Sequence, residues 1–253
     1  MQNTSQTPLT AVFGLYAWTI FVALALPTAL AVAVLPGLRA RRRVARAAAR
    51  CFFAFCGIRV RLRDATLLPT DACVVVANHA SYLDGIVLTA ALPAGFSFVI
   101  KQEIRSVPIA HLLLRRIGSE FVERFDRRRN AADARRLLKA AANGQALVFF
   151  PEGTFVHERG LSPFRPGAFV TAARAGLPVA PVLITGARDV LPPGARLPRP
   201  GGVIEIRALS SMRATGADGQ AARRLRDEVR QIMLAGLGEP DLLTLDAVPD
   251  PPA

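Results

Sequence analysis

Apolar and polar positions alternate in blocks along most of this chain, and the blocks predict strands and helices in turn. Short apolar runs predict strands at 73–77, 97–100, 120–124, 146–150, 179–184 and 203–208, and an alternating apolar and basic stretch predicts one at 58–63. Longer stretches with helical spacing predict helices at 83–91, 107–116, 130–142, 167–175 and 218–236. Such alternation is typical of an α/β fold with a mostly parallel central sheet flanked by helices.

The N-terminal part of the chain has a different pattern. Residues 11–36 carry no charged side chain, and a run of that length is sufficient to cross a hydrocarbon core of about 30 Å. Pro27 lies inside the run, where it predicts a kink or two shorter helices. A cleaved signal peptide is disfavoured, because the run is too long and no basic region precedes it. We therefore expect an N-terminal membrane-anchoring helical segment that either spans the bilayer or enters and leaves on one side.

Six arginines follow this apolar run directly: Arg39, Arg41, Arg42, Arg43, Arg46 and Arg50. The spacing over 41–55 predicts a basic amphipathic helix, which either lies in the membrane interface or covers a core with a solvated basic face. Arginines beside an apolar anchor favour the cytoplasmic side and attract anionic head groups. We expect an anionic membrane surface as a partner. Nucleic acid is disfavoured, because no recognition motif or aromatic platform accompanies the arginines.

Composition agrees with these expectations. The chain has 253 residues, 51% of them hydrophobic, and its 32 basic and 19 acidic side chains leave a net charge of +13, which implies anionic partners. Its three cysteines, Cys51, Cys56 and Cys73, are odd in number and lie in apolar settings, so they predict buried thiols in a reducing compartment. We expect an anchor and basic helix at 1–57, one domain at 58–240 and a disordered tail at 241–253.

A histidine follows the strand predicted at 73–77, and a carboxylate follows five residues later, as His79 and Asp84. Five residues of regular helix turn through about 500°, so the two side chains meet only if His79 lies in the loop and Asp84 in the first helical turn. The carboxylate would then hold one imidazole nitrogen while the other faces a substrate. Alternatively, Ser81 is the helix N-cap and Asp84 satisfies backbone N–H groups, as in a capping box.

Three further segments stand out: two carry polar groups at strand ends, and the third is a strand that contains proline. Arg124 ends the strand predicted at 120–124, where a guanidinium can bind a phosphate. Glu152, Gly153 and Thr154 follow a buried strand, and glycine permits close backbone approach to a ligand. The strand at 179–184 contains Pro181, which on its own predicts an edge or entry strand. Taken singly, Arg124 is equally typical of a surface arginine, and the segment at 152–154 is equally typical of an ordinary turn at the end of a strand.

Together the four segments are more specific. They read His-x4-Asp at 79–84, Gly-x-x-Phe-Val-x-Arg at 118–124, Phe-Pro-Glu-Gly-Thr at 150–154 and Val-Ala-Pro-Val at 179–182. In this order and spacing they resemble the glycerolipid acyltransferase family, and most closely its bacterial 1-acyl-glycerol-3-phosphate acyltransferases. The resemblance covers about residues 50–210 and also includes Lys101.

The resemblance implies a role for each of these residues. His79 would be the general base that takes a proton from an acceptor hydroxyl, and Asp84 would orient it. The remaining site residues would bind the acceptor's phosphate (Lys101, Arg124), shape the acceptor site (Glu152, Gly153, Thr154) and help to form a pocket (Pro181). The implied donor is acyl-CoA or acyl carrier protein, with no metal and no cofactor. The implied location is the cell inner membrane, with the catalytic domain on the cytoplasmic side.

Position 155 departs from the family, which often has an arginine directly after Glu-Gly-Thr, whereas this chain has Phe155. A phenylalanine cannot bind phosphate. Either Arg159, Arg165 or Arg124 replaces that arginine, or the acceptor is another lyso-lipid, such as an ornithine-containing or glycan-bearing one. An alternative from a different class of function is a membrane-tethered basic module that binds anionic lipid or nucleic acid without catalysis.

Overall fold

The computed structural model describes residues 8–123 and 127–243 of the chain. Its α-helices are α1 (Pro8–Val34), α2 (Leu38–Phe55), α3 (Asp84–Ala91), α4 (Pro108–Arg116), α5 (Arg127–Ala142), α6 (Gly167–Ala175), α7 (Ala187–Val190) and α8 (Gly219–Leu237). Its strands are β1 (Arg59–Arg63), β2 (Val74–Ala77), β3 (Phe96–Lys101), β4 (Glu120–Val122), β5 (Ala146–Phe149), β6 (Val179–Thr185) and β7 (Val203–Ala208).

The strands form a mostly parallel sheet in the order β1-β7-β6-β2-β5-β3-β4, which confirms the predicted fold class. Strand β2 pairs in parallel with β5 and with β6, and Val75 lies opposite Val148 on one side and Ala180 on the other. All four residues of β2 are buried, as expected for a parallel strand covered on both faces. Strand β6 lies between β7 and β2. The suggestion of an edge strand, which came from Pro181, was therefore wrong.

By packing, the chain divides into two compact units. The first comprises residues 1–63, 80–121 and 184–206, and the second comprises residues 64–79, 122–183 and 207–253. The predicted division into an anchor at 1–57 and a domain at 58–240 stays a prediction.

Helix α1, in the first unit, presents one face to its neighbours and leaves another exposed. It packs against α2 and α4 and buries Ala17 and Val32. It continues through Pro27 without a break, so the two shorter helices do not form. One side carries the exposed residues Leu9, Val12, Leu15, Val22, Leu26, Leu30 and Val34. Among the described residues, α1 is the one helix with the length and composition to cross a membrane.

Three of the six arginines predicted to face lipid bind backbone carbonyls instead. Of these three, Arg42 forms the most hydrogen bonds. Its guanidinium donates to the carbonyls of Ile117 (2.9 Å) and Gly95 (2.8 Å) and to the hydroxyl of Ser97. Burial lowers the pKa of Arg42. For this residue the expectation of a head-group contact was wrong.

Arg46 and Arg41 satisfy helix ends. Arg46 donates to the carbonyls of Ala90 (3.3 Å) and Ala91 (3.2 Å) in the last turn of α3, and Arg41 donates to Leu35 directly after α1. Helix C-termini have unpaired carbonyls and a partial negative charge, both of which favour a guanidinium there. The exposed arginines are Arg39, Arg43 and Arg50, which lie within about 40° of one another around a helix with 3.6 residues per turn.

In the second unit, helices α6 and α8 pack together over a core that includes Phe169, Leu225, Val229 and Met233. Helix α8 begins at the N-cap Asp218, whose side chain accepts from the N–H of Ala221 at 2.7 Å. Residues 241–243, predicted as part of a disordered tail, form hydrogen bonds with Leu161 and Arg230. Residues 244–253 lie outside the described residues.

The cysteines agree with the prediction in part. Cys56 and Cys73 are buried, and burial raises the pKa of Cys73 to about 11. Cys51 is exposed on α2, so the prediction of a buried thiol was wrong there. The helical pattern of α2 is compatible with either placement, because Cys51 adjoins the buried Phe52.

Candidate functional site

The site is built where two neighbouring parallel strands of the second unit end. Strand β2 leads to His79 and strand β5 leads to Glu152. Because β2 and β5 pair in parallel, with Val76 opposite Phe149, their carboxyl ends lie at the same edge of the sheet. The segments after the two strands are therefore brought together, as the sequence predicts.

A tight turn places Glu152 after β5. The N–H of Gly153 donates to the carbonyl of Phe150 at 3.0 Å, with Pro151 at the second position of the turn. Gly153 has a φ of +84°, a left-handed conformation that glycine adopts without steric cost. The glycine of this motif is thus required by the backbone conformation.

The Glu152 carboxylate bridges two backbone segments. Its Oε1 accepts from the N–H of His79 at 2.7 Å, and its Oε2 accepts from the N–H of Ser162 at 2.9 Å. The side chain is only 6% exposed. Burial raises the pKa of Glu152, while its hydrogen bonds with His79 and Ser162 oppose that rise. Glu152 therefore holds the backbone of His79 in place, a contact that the sequence prediction of an acceptor-shaping residue did not include.

The imidazole of His79 lies against two phenylalanines. It stacks on Phe150 with ring centroids 4.4 Å apart and planes at 24°, and it meets Phe155 edge-on at 4.7 Å and 82°. Such contacts restrict the ring to a small range of orientations. The Phe155 that departs from the family pattern is thus in contact with the proposed base.

A cavity of about 380 Å³ opens beside this turn. It is lined by Glu152, Thr154, Val156, Glu158, Ser162, Pro163, Phe164, Arg165 and Leu242. The volume lies within the usual range for small-ligand sites, and the lining combines apolar walls with a few polar groups. Thr154 is exposed in it, and Arg165 supplies a cation.

Asp84 belongs to the first unit, where it is completely buried. Its Oδ2 accepts from the N–H groups of Ala80 (2.7 Å) and Ser81 (2.8 Å). Helix α3 begins at Asp84 with Leu83 as its N-cap, so the prediction of Ser81 as N-cap was wrong, whereas the prediction that Asp84 satisfies backbone N–H groups is confirmed. The Ser81 hydroxyl donates to the carbonyl of Leu191 at 2.8 Å and accepts from the N–H of Leu83 at 3.2 Å. The carboxylate thus fixes the backbone directly after His79, and its pairing with the imidazole stays a prediction.

The structure describes two further predicted site residues, Lys101 and Pro181. Lys101 is the last residue of β3, in the first unit. Pro181 is buried within β6, opposite Val76 in register, and the lining of the cavity described above does not include it. Arg124 lies outside the described residues. Over 8–123 and 127–243, no group of three His, Cys, Asp or Glu side chains is arranged to hold a metal ion.

Sequence reasoning missed Ser162 and the ring contacts of His79. Ser162 lies outside the four recognised segments, and a backbone N–H donor has no signal of its own in a sequence. Phe150 was part of a recognised motif, and only the structure shows that its ring stacks on His79.

The sequence of this chain is similar to those of known proteins. Residues 59–185, half of the chain, match the model of the Acyltransferase family. The chain is 33% identical over 123 residues to the chloroplastic 1-acyl-sn-glycerol-3-phosphate acyltransferase BAT2 of Brassica napus. This alignment covers 49% of this chain and 36% of that protein. It is 35% identical over 130 residues to lysophosphatidylcholine acyltransferase 1 of Rattus norvegicus, covering 50% of this chain and 23% of that protein. The chain thus spans well under two thirds of either relative.

A solved structure matches over a greater length. The crystal structure of the 1-acyl-sn-glycerophosphate acyltransferase PlsC from Thermotoga maritima aligns with a TM-score of 0.74, covering 96% of this chain and 100% of that one. At 20% sequence identity, this similarity establishes the fold alone.

Proposed function

Because the chain belongs to the Acyltransferase family, we propose that it transfers an acyl chain from a thioester donor to the free hydroxyl of a lyso-phospholipid. The observation that carries this proposal is the Glu152 bridge, which holds the backbone of His79 at 2.7 Å and also lines the 380 Å³ cavity. A fixed histidine beside an open, partly polar cavity suits a general base that receives an acceptor hydroxyl.

In the proposed reaction, an imidazole nitrogen of His79 takes the proton from the acceptor hydroxyl. The oxygen attacks the thioester carbonyl, the C–S bond breaks as the new C–O bond forms, and the thiolate of coenzyme A or acyl carrier protein leaves and takes up the proton. Asp84 is assigned to orient His79 and to stabilise its charged form. The two hydrogen bonds that hold residues 80 and 81 on its carboxylate support the orienting role, and the stabilisation of the charged form rests on the family resemblance.

The acceptor that we favour is 1-acyl-glycerol-3-phosphate, which would give phosphatidic acid. Its phosphate requires a cation. Lys101 and Arg124 are assigned to that role by resemblance, and Arg165 is a further candidate because it lines the cavity. Phe155 favours a second candidate acceptor, a lyso-lipid whose head group is not a bare phosphate, because a ring that contacts His79 stands at the position where the family often has an arginine.

A lipid acceptor requires the protein to reach the bilayer. The exposed apolar face of α1 and the exposed arginines of α2 suit an anionic membrane surface. We assign the protein to the cell inner membrane with its catalytic residues at the cytoplasmic leaflet, where acyl-CoA and acyl carrier protein are found.

The test is an acyl-transfer assay on a panel of lyso-lipids with both thioester donors. His79→Ala should lower the rate by about 10²–10⁴-fold, whereas His157→Ala, an exposed histidine of the segment after β5, should retain it. Turnover of another lyso-lipid in preference to 1-acyl-glycerol-3-phosphate would correct the acceptor alone. An equal rate in wild type and His79→Ala would contradict the mechanism, and no turnover with either donor would contradict the enzyme.

A further inference from the structure

Helix α8 carries a buried arginine that reaches the segment in front of the cavity. Arg230 is 3% exposed, and arginine is rarely buried to that extent unless it is paired. Its guanidinium donates to the carbonyls of Leu161 (2.7 Å) and Ser162 (3.2 Å). Both oxygens of Asp241 accept from the same guanidinium, which also lies 6.0 Å from the ring centroid of Phe164.

The segment that Arg230 holds is also fixed from its other side. The N–H of Leu161 donates to the carbonyl of Pro240 at 3.0 Å, and the carbonyl of Leu161 accepts from Leu242 at 3.2 Å. Residues 161 and 162 are therefore clamped between α8 and the chain that follows it. One N–H of this clamped segment, that of Ser162, donates to Oε2 of Glu152.

These contacts form a continuous path inside the second unit. Asp241 holds Arg230, Arg230 holds the carbonyls of residues 161 and 162, Ser162 donates to Glu152, and Glu152 accepts from the N–H of His79. Each step is a direct hydrogen bond. Arg230 and Asp241 lie outside residues 59–185, which match the family model, so family membership does not assign them a role.

We propose that Arg230, held by Asp241, is a positioning residue for the acyl transfer. It keeps the N–H of Ser162 hydrogen-bonded to the Glu152 carboxylate and thereby fixes the backbone of His79. This inference rests on the proposed function, because positioning matters only if His79 does the chemistry. Arg230 does not touch the substrate in this scheme. It acts through Glu152, and its loss should therefore affect turnover more than acceptor binding.

The path also predicts a change in pH dependence. The groups that face Glu152 are His79 on one side and the N–H and hydroxyl of Ser162 on the other, while Glu158 and Arg165 line the same cavity. Hydrogen bonds from Ser162 lower the pKa of Glu152 against the effect of burial. If Ser162 shifts away, Glu152 should be protonated at a higher pH, and the acid limb of the pH profile of kcat/KM should move to higher pH. A change in overall stability alone would not move that limb.

The experiment compares Arg230→Met and Arg230→Lys with Arg226→Met. Arg226 lies one turn earlier on α8 and pairs with the exposed Asp227, so its replacement makes the same charge change away from the clamp. We expect Arg230→Met to lower kcat on the order of tenfold, the effect of a modest change in transition-state stabilisation, with a smaller change in KM and a raised acid limb. Arg230→Lys should be intermediate, since an ammonium lacks the fork that binds two carbonyls and a carboxylate. Arg226→Met should match wild type.

The outcomes separate the two proposals. A folded Arg230→Met with the wild-type kcat and acid limb would overturn the positioning role. A protein that does not transfer acyl groups at all would overturn the proposed function instead. If Arg230→Met does not fold, Asp241→Asn is the decisive variant, because Asp241 is the more exposed partner and its change is milder. It should raise the acid limb in the same direction, and a wild-type profile in Asp241→Asn would refute the inference.

Discussion

Replacing Glu152 by glutamine tests the bridge that organises the site. The carboxylate accepts two backbone N–H groups at 2.7 and 2.9 Å, and hydrogen bonds to charged groups contribute about 1.5–3 kcal/mol each. Glutamine has one oxygen, so it can accept from one of the two N–H groups, and its own NH₂ opposes the other. The neutral amide avoids the cost of burying a charge, which offsets part of this loss. We expect a net destabilisation of about 1–2 kcal/mol.

The same change should affect turnover more strongly than stability. A catalytic group displaced by about 1 Å can lose about 10²-fold in rate, and Glu152→Gln releases either the His79 or the Ser162 backbone. We expect kcat to fall by about 10–100-fold. The assays are acyl transfer and denaturant unfolding, with Glu228→Gln as the matched control, because Glu228 is exposed on α8 and is not part of the cavity lining.

The direction in which stability changes with pH is an independent test of the Glu152 bridge. Burial raises the pKa of Glu152 above its unfolded value, which is about 4.3. The group therefore contributes stability that is complete below the unfolded pKa and is lost as the pH rises through the folded pKa. The unfolding free energy of wild type relative to Glu152→Gln should decline across that window. Equal turnover in Glu152→Gln and Glu228→Gln, or no decline of that free-energy difference with pH, would refute the reasoning.

Three further substitutions test other parts of the structure. Gly153→Ala should cost roughly 1–2 kcal/mol of unfolding free energy, because φ is +84°; Gly153→Asn should cost less, and equal costs would contradict the strain. Arg42→Met should cost roughly 2–4 kcal/mol in denaturant unfolding, since it removes the donor to two partly buried acceptors, on Ile117 and Ser97, whereas the exposed Arg43→Met should stay within about 0.5 kcal/mol. Phe155→Leu should lower kcat about 2–10-fold by removing a ring contact on His79; an unchanged kcat would show that this contact does not position the imidazole.

The strand ends were predictable because the information is local. The apolar runs before His79 and Glu152 are short and bounded, and they form β2, which is buried throughout, and β5, which is buried at three of its four residues. Once parallel pairing is accepted, the two polar segments must lie at one edge of the sheet. The position of the candidate site therefore followed from the pattern alone, without any knowledge of side-chain contacts.

The roles of the charged residues were not predictable in the same way. Arg42 bonds to carbonyls 53 and 75 positions away along the chain, and an amphipathic pattern is the same whether its basic residues meet carbonyls or lipid. Glu152 was expected at the acceptor site, yet its carboxylate holds two N–H groups that no sequence motif encodes. Arg230 had no signal at all, because a buried arginine in a basic helix resembles its solvated neighbours.

The way α1 is held has a consequence for preparing the protein. Arg116 donates to the carbonyls of Val32 and Ala33, and Trp18 donates to the carbonyl of Arg196 at 2.8 Å. A shortened chain without its first 36 residues, made to dispense with detergent, would lose more than an attachment to the bilayer. It would deprive the Arg116 guanidinium of these two carbonyl acceptors and expose the aromatic and apolar face of α2 to solvent. The first helix is thus a structural member of its unit, and solubility should be sought by substituting its exposed leucines and valines while the helix itself is retained.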